Sequence, residues 1–313
     1  MHITVAPYDT NWPNLFHQES EKLHSVLGDQ LVDIHHIGST AIPGIWAKPV
    51  IDIIPVVKDI ASVDRYNPAM KAAGYIPMGE YGIPFRRYFQ KDKDGFRTHN
   101  IHVFEHGNLE IERHLAFRDY MRSHPKEAEA YSVLKQQLAV QFPNDIRAYC
   151  DGKDHLIRQI DNAAGFSGLR MVQVASRDEW EFYHALCKTS IFDGTEITYD
   201  PHHPTLHDPN YTRFILLKGT EYIGILVTEF LEKQDAILRM VAIDPHYRNA
   251  GLGTELAKLG ERWLAAQGRE NIYLHANPTV INFYRRFGYK EMPLPNGNKS
   301  IFKNAVDMGK GIT

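Results

Sequence analysis

Val241-Ala242-Ile243-Asp244-Pro245-His246-Tyr247-Arg248-Asn249-Ala250-Gly251-Leu252-Gly253-Thr254 reads as a strand, a tight turn and the start of a helix. Met240 to Ile243 are apolar, and Pro245 stops the strand because it cannot donate to a ladder. Arg248-x-x-Gly251-x-Gly253 then leads into Thr254-Glu255-Leu256-Ala257-Lys258-Leu259. This spacing suits anion binding. Glycines let backbone approach a ligand closely, and free amides at a helix start point at negative charge. Arg248 adds a fixed positive charge beside them.

A second segment follows, Asn277-Pro278-Thr279-Val280-Ile281-Asn282-Phe283-Tyr284-Arg285-Arg286-Phe287-Gly288-Tyr289. Together the two resemble the GNAT acyltransferases. That family carries Arg/Gln-x-x-Gly-x-Gly/Ala after a strand, then an Asn and a later Ala-x-x-Phe-Tyr-x-x-x-Gly-Phe. Here Ile281 replaces the usual small residue and Tyr289 the final Phe. The resemblance implies acetyl-CoA as cofactor and a small-molecule or peptide amine as acceptor. It implies that Val241 and Ile243 offer backbone to the pantetheine. Arg248 and the amides of Asn249, Ala250, Gly251, Leu252, Gly253 and Thr254 would hold the pyrophosphate, and Asn277 and Phe283 would meet the cofactor nearby. Tyr284 would protonate the leaving thiolate, against a plain core-aromatic reading. Glu229 is a candidate base, or an exposed strand residue.

In the first half, Leu31 to Ile37 alternates like a strand, and Lys48-Pro49-Val50-Ile51-Asp52-Ile53-Ile54-Pro55-Val56-Val57 reads as a buried strand with one carboxylate. A lone Asp in so apolar a run costs free energy unless it is paired, hydrogen-bonded or metal-bound. His36-Ile37-Gly38-Ser39-Thr40-Ala41-Ile42-Pro43-Gly44-Ile45-Trp46-Ala47-Lys48-Pro49-Val50-Ile51-Asp52-Ile53 resembles the GrpB family almost continuously. The likeness extends through Arg87-Tyr88-Phe89, His99 to Val103 and His114 to Arg122, over roughly residues 5 to 163. It implies a nucleotidyltransferase-like fold, in which Gly38 and Ser39 hold a phosphate and strand acids hold Mg2+. The second acid position is Ile54 here, and Glu105 is the substitute the sequence offers. The ligand site expected in this half is Gly38, Ser39, Lys48, Asp52, Arg87 and His102, taking a nucleotide or another phosphorylated ligand. Arg86, Arg87, His99 and His102 across the hairpin form either an anion-binding wall or a solvated face. Lys153 is an anion contact or a surface lysine.

The 313 residues suggest about two domains. Glycine-rich Asn162 to Gly168 marks a joint, so the expected domains are 1–164 and 169–313, both α/β of the α+β type with mixed sheets. The closing strand is expected at Ile301-Phe302-Lys303. A net charge of −3 gives no global attraction to nucleic acid or anionic membrane. No signal-peptide pattern or membrane-length apolar run occurs, which predicts a cytoplasmic protein. Cys150 and Cys187 lie in different halves and imply neither a disulfide framework nor a cysteine zinc site. The 17 histidines are clustered, which invites a metal reading, but no clean i, i+4 histidine pair with a helix and a carboxylate appears, so surface or network histidine is the expected reading. The main reading is an acetyl-CoA-dependent N-acyltransferase with a fused GrpB-like domain. The alternatives are a magnesium-dependent nucleotidyltransferase whose second half senses acyl-CoA, and a non-catalytic sensor.

Overall fold

The structure is a computed structural model that describes residues 2–298 and 300–312. Its contacts divide the chain into two compact units, Met1–Arg170 with Lys218–Thr220, and Met171–Leu217 with Glu221–Thr313. Each carries one mixed sheet.

In the first unit, Pro13 in the opening turn starts α1 (Trp12–Leu27), and Gly28 at φ 52° ends it. Then come β1 (Leu31–Ile37), β2 (Ile51–Val57), α2 (Asn67–Ala72), β3 (Ile76–Pro77), β4 (Arg86–Lys93) and β5 (Phe96–Glu105). Three helices follow: α3 (Leu109–Ser123), α4 (Pro125–Gln141) and α5 (Ile146–Ala163). The strand order is β1-β2-β5-β4-β3, with β2 and β5 parallel and the other pairs antiparallel. Alternation along β2 and β5 splits their side chains between two cores. Ile51, Ile53, Val57, Ile101 and Val103 pack with Leu23 and Leu27 of α1. Ile54, Val56 and Phe104 pack with Ile111 and Leu115 of α3. Asp52 and His102 project on the α3 side.

The second unit contains β6 (Leu169–Gln173), α6 (Arg177–Cys187), β7 (Tyr211–Lys218), β8 (Glu221–Phe230), β9 (Asp235–Ile243), α7 (Leu252–Ala266), β10 (Asn271–Ala276), α8 (Ile281–Arg286), β11 (Lys290–Glu291) and β12 (Val306–Gly311). The strand order is β11-β12-β10-β9-β8-β7-β6. Ser176 and Glu179 form a capping box at the start of α6. Tyr183 and Leu186 of α6 pack on Ile215, Ile225, Val227 and Ala242. On the other face Gly260 lets α7 approach β8, since a Cβ there would lie 2.7 Å from Leu226 Cδ2. The closing strand differs from the expectation. Ile301-Phe302-Lys303 is a turn with Ile301 exposed, and the sheet is completed by Val306–Gly311. Only Met308 and Gly309 of that glycine-bearing strand are buried, so it lacks the apolar run or alternation that marks a strand.

Candidate functional site

In the first unit the focus is Asp52. It pairs with Ile37 across the β1–β2 ladder, where β1 turns at Gly38. Gly38 has φ 68°, and a Cβ there would lie 2.4 Å from Asp52 Oδ2. Glycine is therefore required both by the backbone and by the carboxylate beside it. Asn100 Nδ2 donates to Asp52 Oδ1 at 2.8 Å, and Tyr88 Oη donates to Asn100 Oδ1 at 2.7 Å. His102 Nε2 lies 3.8 Å from Asp52 Oδ1. The His102 tautomer follows from its other side. Arg86 Nη1 is 3.1 Å from His102 Nδ1, and a guanidinium only donates, so Nδ1 is the acceptor and Nε2–H faces Asp52. Burial pushes the His102 imidazole towards its neutral form. Burial alone would raise the Asp52 pKa, but the His102 and Asn100 donors outweigh it and hold the carboxyl below its ordinary value. Behind His102 stands His114, whose ring centre is 6.1 Å away and whose Nδ1 donates to the Glu110 carbonyl at 2.9 Å. Burial pushes the His114 pKa down to about 3.

Several expected members of this site do not join it. Arg87 projects from the opposite face of β4 and makes a two-armed pair with Asp64, at 2.8 and 2.9 Å. Strand alternation brings Arg86, not Arg87, to His102. His99 likewise faces away, within the electrostatic reach of Glu19 and Lys91. Glu105 lies at the far end of β5, paired with Val57, and accepts from the Ile60 amide at 3.1 Å. A magnesium site is a poor fit. Asp52 Oδ1 already meets an N–H donor, its neighbours on β2 are apolar, and no cluster of three His, Cys, Asp or Glu suited to a metal occurs among the described residues. Ser39 follows Gly38 in a short turn, Ser39–Ala41. Lys48 stands in the loop before β2, within electrostatic reach of Asp52.

In the second unit, β9 and β10 run parallel but are paired only from Asp235–Asn271 to Leu238–Leu274. Beyond that point β9 continues to Ile243 bonded to β8 alone, so its other edge, including Val241 and Ile243, faces a gap. The loop after β9 is built to leave amides free. Asn249 and Gly251 have φ 63° and 76°, and the amides of Asn249, Ala250, Gly251, Leu252 and Gly253 have no acceptor among the described residues. Thr254 N–H already bonds the Gly251 carbonyl at 2.9 Å. Arg248 is braced beside them, its Nε donating to the Ile243 carbonyl and its Nη2 to Ser190 Oγ, both at 3.0 Å. Gly253 keeps the helix start bare, and a Cβ there would lie 4.0 Å from the Phe283 ring. Asn277 caps the next turn, its Oδ1 accepting from Thr279 N at 3.0 Å. Tyr284 packs against Tyr289, with ring centres 5.6 Å apart. Burial, aided by Glu261, pushes its phenol up to about 12, so it stays protonated at neutral pH.

Residues 2–163 match the family model for the GrpB protein, and residues 169–289 match that for the acetyltransferase (GNAT) family. The chain belongs to the GrpB family. It also carries a GNAT acetyltransferase domain in its second half. UPF0157 protein YqkA of Bacillus subtilis is 48% identical over 162 residues, covering 52% of this chain and 47% of YqkA. The match thus spans about half the length of that relative. Glutamate-rich protein GrpB of Alkalihalophilus pseudofirmus is 35% identical over 164 residues, 51% of this chain and 94% of that protein. Among solved structures, the conserved protein GrpB from Enterococcus faecalis is 38% identical, with a TM-score of 0.50, covering 51% of this chain and 96% of that one. A putative N-acetyltransferase from Lactobacillus plantarum covers 47% of this chain and 99% of that one, at 20% identity and a TM-score of 0.41.

Within the GNAT half, Glu229 is tied to Arg239 by an ion pair, and Arg239 also bonds Asn298. Sequence reading missed a better-placed basic group, His275. It directly follows Leu274, the last β10 residue paired to β9, and so stands at the mouth of the gap. Its Nδ1 is 2.8 Å from Asp307 Oδ1 on β12. A carboxylate only accepts, so Nδ1 carries a proton, and in the neutral imidazole the lone pair is on Nε2. Nε2 is buried with no partner among the described residues. The ladders set Tyr273 beside Ile237 and Ile237 beside Glu229, so His275, two residues on, projects from the Glu229 face. No helix of the described residues is long and apolar enough to cross a membrane.

Proposed function

We propose that the chain is an acetyl-CoA-dependent N-acetyltransferase acting on a small-molecule or peptide amine, with a separate site for a phosphorylated ligand in its GrpB half. The observation that carries the first part is the gap between β9 and β10 leading to five unsatisfied amides and a braced arginine. Open strand backbone suits the amides of an extended pantetheine arm, and the loop suits a pyrophosphate. Acetyl-CoA supplies the activated acetyl thioester. His275 Nε2 takes the proton from the attacking amine, with Asp307 fixing the tautomer. Tyr284 gives its proton to the departing sulfur. Glu229, neutralised by Arg239, shapes the acceptor side instead of acting as base.

For the GrpB half, Gly38, Ser39, Lys48, Asp52 and His102 surround the turn after β1. Nucleotidyl transfer is not favoured there, because Asp52 is held by N–H donors and Ile54 takes the place of the second acid. The test is a thiol-release assay with acetyl-CoA and an amine panel that includes peptide N-termini, lysine, polyamines and aminoglycosides. Turnover with at least one amine, lost in Tyr284→Phe and His275→Ala, supports the reading. Calorimetry that shows no acetyl-CoA binding overturns it.

A further inference from the structure

Three lysines in the GrpB half have no carboxylate at ion-pair distance among the described residues. Lys48 comes from the loop before β2, Lys135 from α4 and Lys153 from α5. Lys48 Nζ and Lys153 Nζ lie 5.4 and 4.5 Å from the centre of the same ring, that of Tyr149. Lys135 Nζ lies 4.5 Å from the Tyr131 ring centre. Lys135 is only 2% exposed, and its Nζ has no hydrogen-bond partner among the described residues. Among the described residues, no carboxylate forms an ion pair with any of the three. Tyr149 and Tyr131 are buried at 1% and 5% exposure, so the amines rest on an apolar aromatic floor.

This arrangement is costly to the fold. An ammonium taken out of water without an acceptor loses hydration that nothing in the protein replaces. Burial, then the Lys153 charge, pushes the Lys135 amine down to about 7. The same two causes push Lys48 down. A structural lysine would turn to solvent or find a carboxylate.

We propose that Lys48, Lys135 and Lys153 form the anion-binding centre of the GrpB half, taking the phosphate or pyrophosphate group of a small phosphorylated metabolite. This deepens the phosphorylated-ligand reading above and rests on it. Lys48 and Lys153 are partly open to solvent and contact the anion. Lys135 lies deeper and raises the local positive potential. Compact ammonium groups suit a multiply charged phosphate, and Tyr149 and Tyr131 leave no competing carboxylate beneath it. Lys48 also feels the Asp52 charge.

The experiment is a calorimetric titration of inorganic pyrophosphate and of ATP into the full chain and its Lys153→Met, Lys48→Met and Lys135→Met variants. Lys153→Met and Lys48→Met are each expected to weaken binding at least tenfold. Lys135→Met is expected to weaken it about fivefold while its Tm stays level or rises, because an unpaired buried amine has been removed. If a phosphate compound binds the parent chain and all three variants equally, the anion sits elsewhere and the lysine site is overturned; the same titration with Gly251→Glu then tells the acetyl-CoA loop, where binding is lost, from another site in the GrpB half, where it is kept and the broader reading stands. If neither compound binds the parent chain, the phosphorylated-ligand reading fails and this proposal with it.

Discussion

Asp52 and Arg248 both stand where a strand gives way to a glycine turn, yet their surroundings differ in kind. Around Asp52 the hydrogen-bond circuit closes: Tyr88 donates to Asn100, Asn100 to Asp52, and Arg86 to His102. Around Arg248 it stays open, with five consecutive amides unanswered and a strand edge facing a gap. A buried polar group that has found its partners contributes to one fixed structure. One left without them marks a place where a ligand belongs. By that measure the binding atoms proposed for the GrpB half are its lysines, and Asp52 braces the Gly38 turn.

Gly251→Glu breaks the open side of this comparison most severely. It places a side chain at φ 76° and a negative charge where the pyrophosphate amides converge. Acetyl-CoA affinity should fall by more than about 1,000-fold, of order 4 kcal/mol. Arg248→Ala, which removes charge but keeps the loop, should lose about tenfold. Calorimetry on both, with circular dichroism to confirm folding, decides the matter. Unchanged affinity in Gly251→Glu would remove the loop from the cofactor site.

Gly38→Ala attacks the closed side. The new Cβ would overlap Asp52 Oδ2, and the backbone at φ 68° disfavours any side chain. A left-handed non-glycine residue costs about 1–2 kcal/mol, and displacing a hydrogen-bonded, partly buried carboxylate adds about 1–3. Chemical denaturation should therefore show about 3 kcal/mol lost from the transition of the GrpB half. A loss under about 1 kcal/mol would mean that the Asp52 circuit yields easily, and the contrast with the Arg248 loop would soften.

His275→Ala tests whether an unpartnered atom is also a working one. It should lower kcat about 100-fold on the best amine found, with little change in KM for acetyl-CoA. Asp307→Asn, which leaves the imidazole but loosens its tautomer, should lose about tenfold. Equal kcat in His275→Ala and the parent enzyme would return the base role to a water or to another group.

These two residues also show where the sequence stopped being legible. The strand, turn and helix around Arg248 could be read because Pro245, Gly251 and Gly253 act locally, through φ and the missing amide hydrogen. The His275–Asp307 pair could not. It depends on which strand lies beside β10, and that strand, Val306–Gly311, has too little apolar alternation to announce itself. Arg87 and Arg86 posed the same difficulty on a smaller scale. Their order along β4 is plain, but the face each occupies depends on register, and the β4–β5 ladder shifts between Lys91 and Asp92. Lys135 has nothing in its sequence surroundings to set it apart from an ordinary helix-forming lysine, and only the packing of the helices shows it to be buried.

The smallest effect concerns a buried charge that has been answered. Glu19 is 2% exposed on α1. It accepts from Tyr75 Oη at 2.6 Å, Lys91 Nζ at 2.5 Å and Lys22 Nζ at 2.8 Å. Burial alone would raise its pKa, but the two lysines and the tyrosine outweigh burial and hold it at about 2. The unfolded chain protonates this carboxyl near its ordinary value of about 4.3. Between those values the unfolded state binds more protons, so the stabilisation is complete above about pH 5 and is lost as pH falls towards 2. The amount is about 2–3 kcal/mol. Glu19→Gln should flatten that acid limb while lowering stability at pH 7, because Lys91 and Lys22 then lose their shared counter-charge. Melting temperatures of the two proteins between pH 7 and pH 3 should therefore converge. Parallel curves would show that the lysines hold Glu19 no more tightly than water does, and that a closed circuit at this site confers no more stability than an open one.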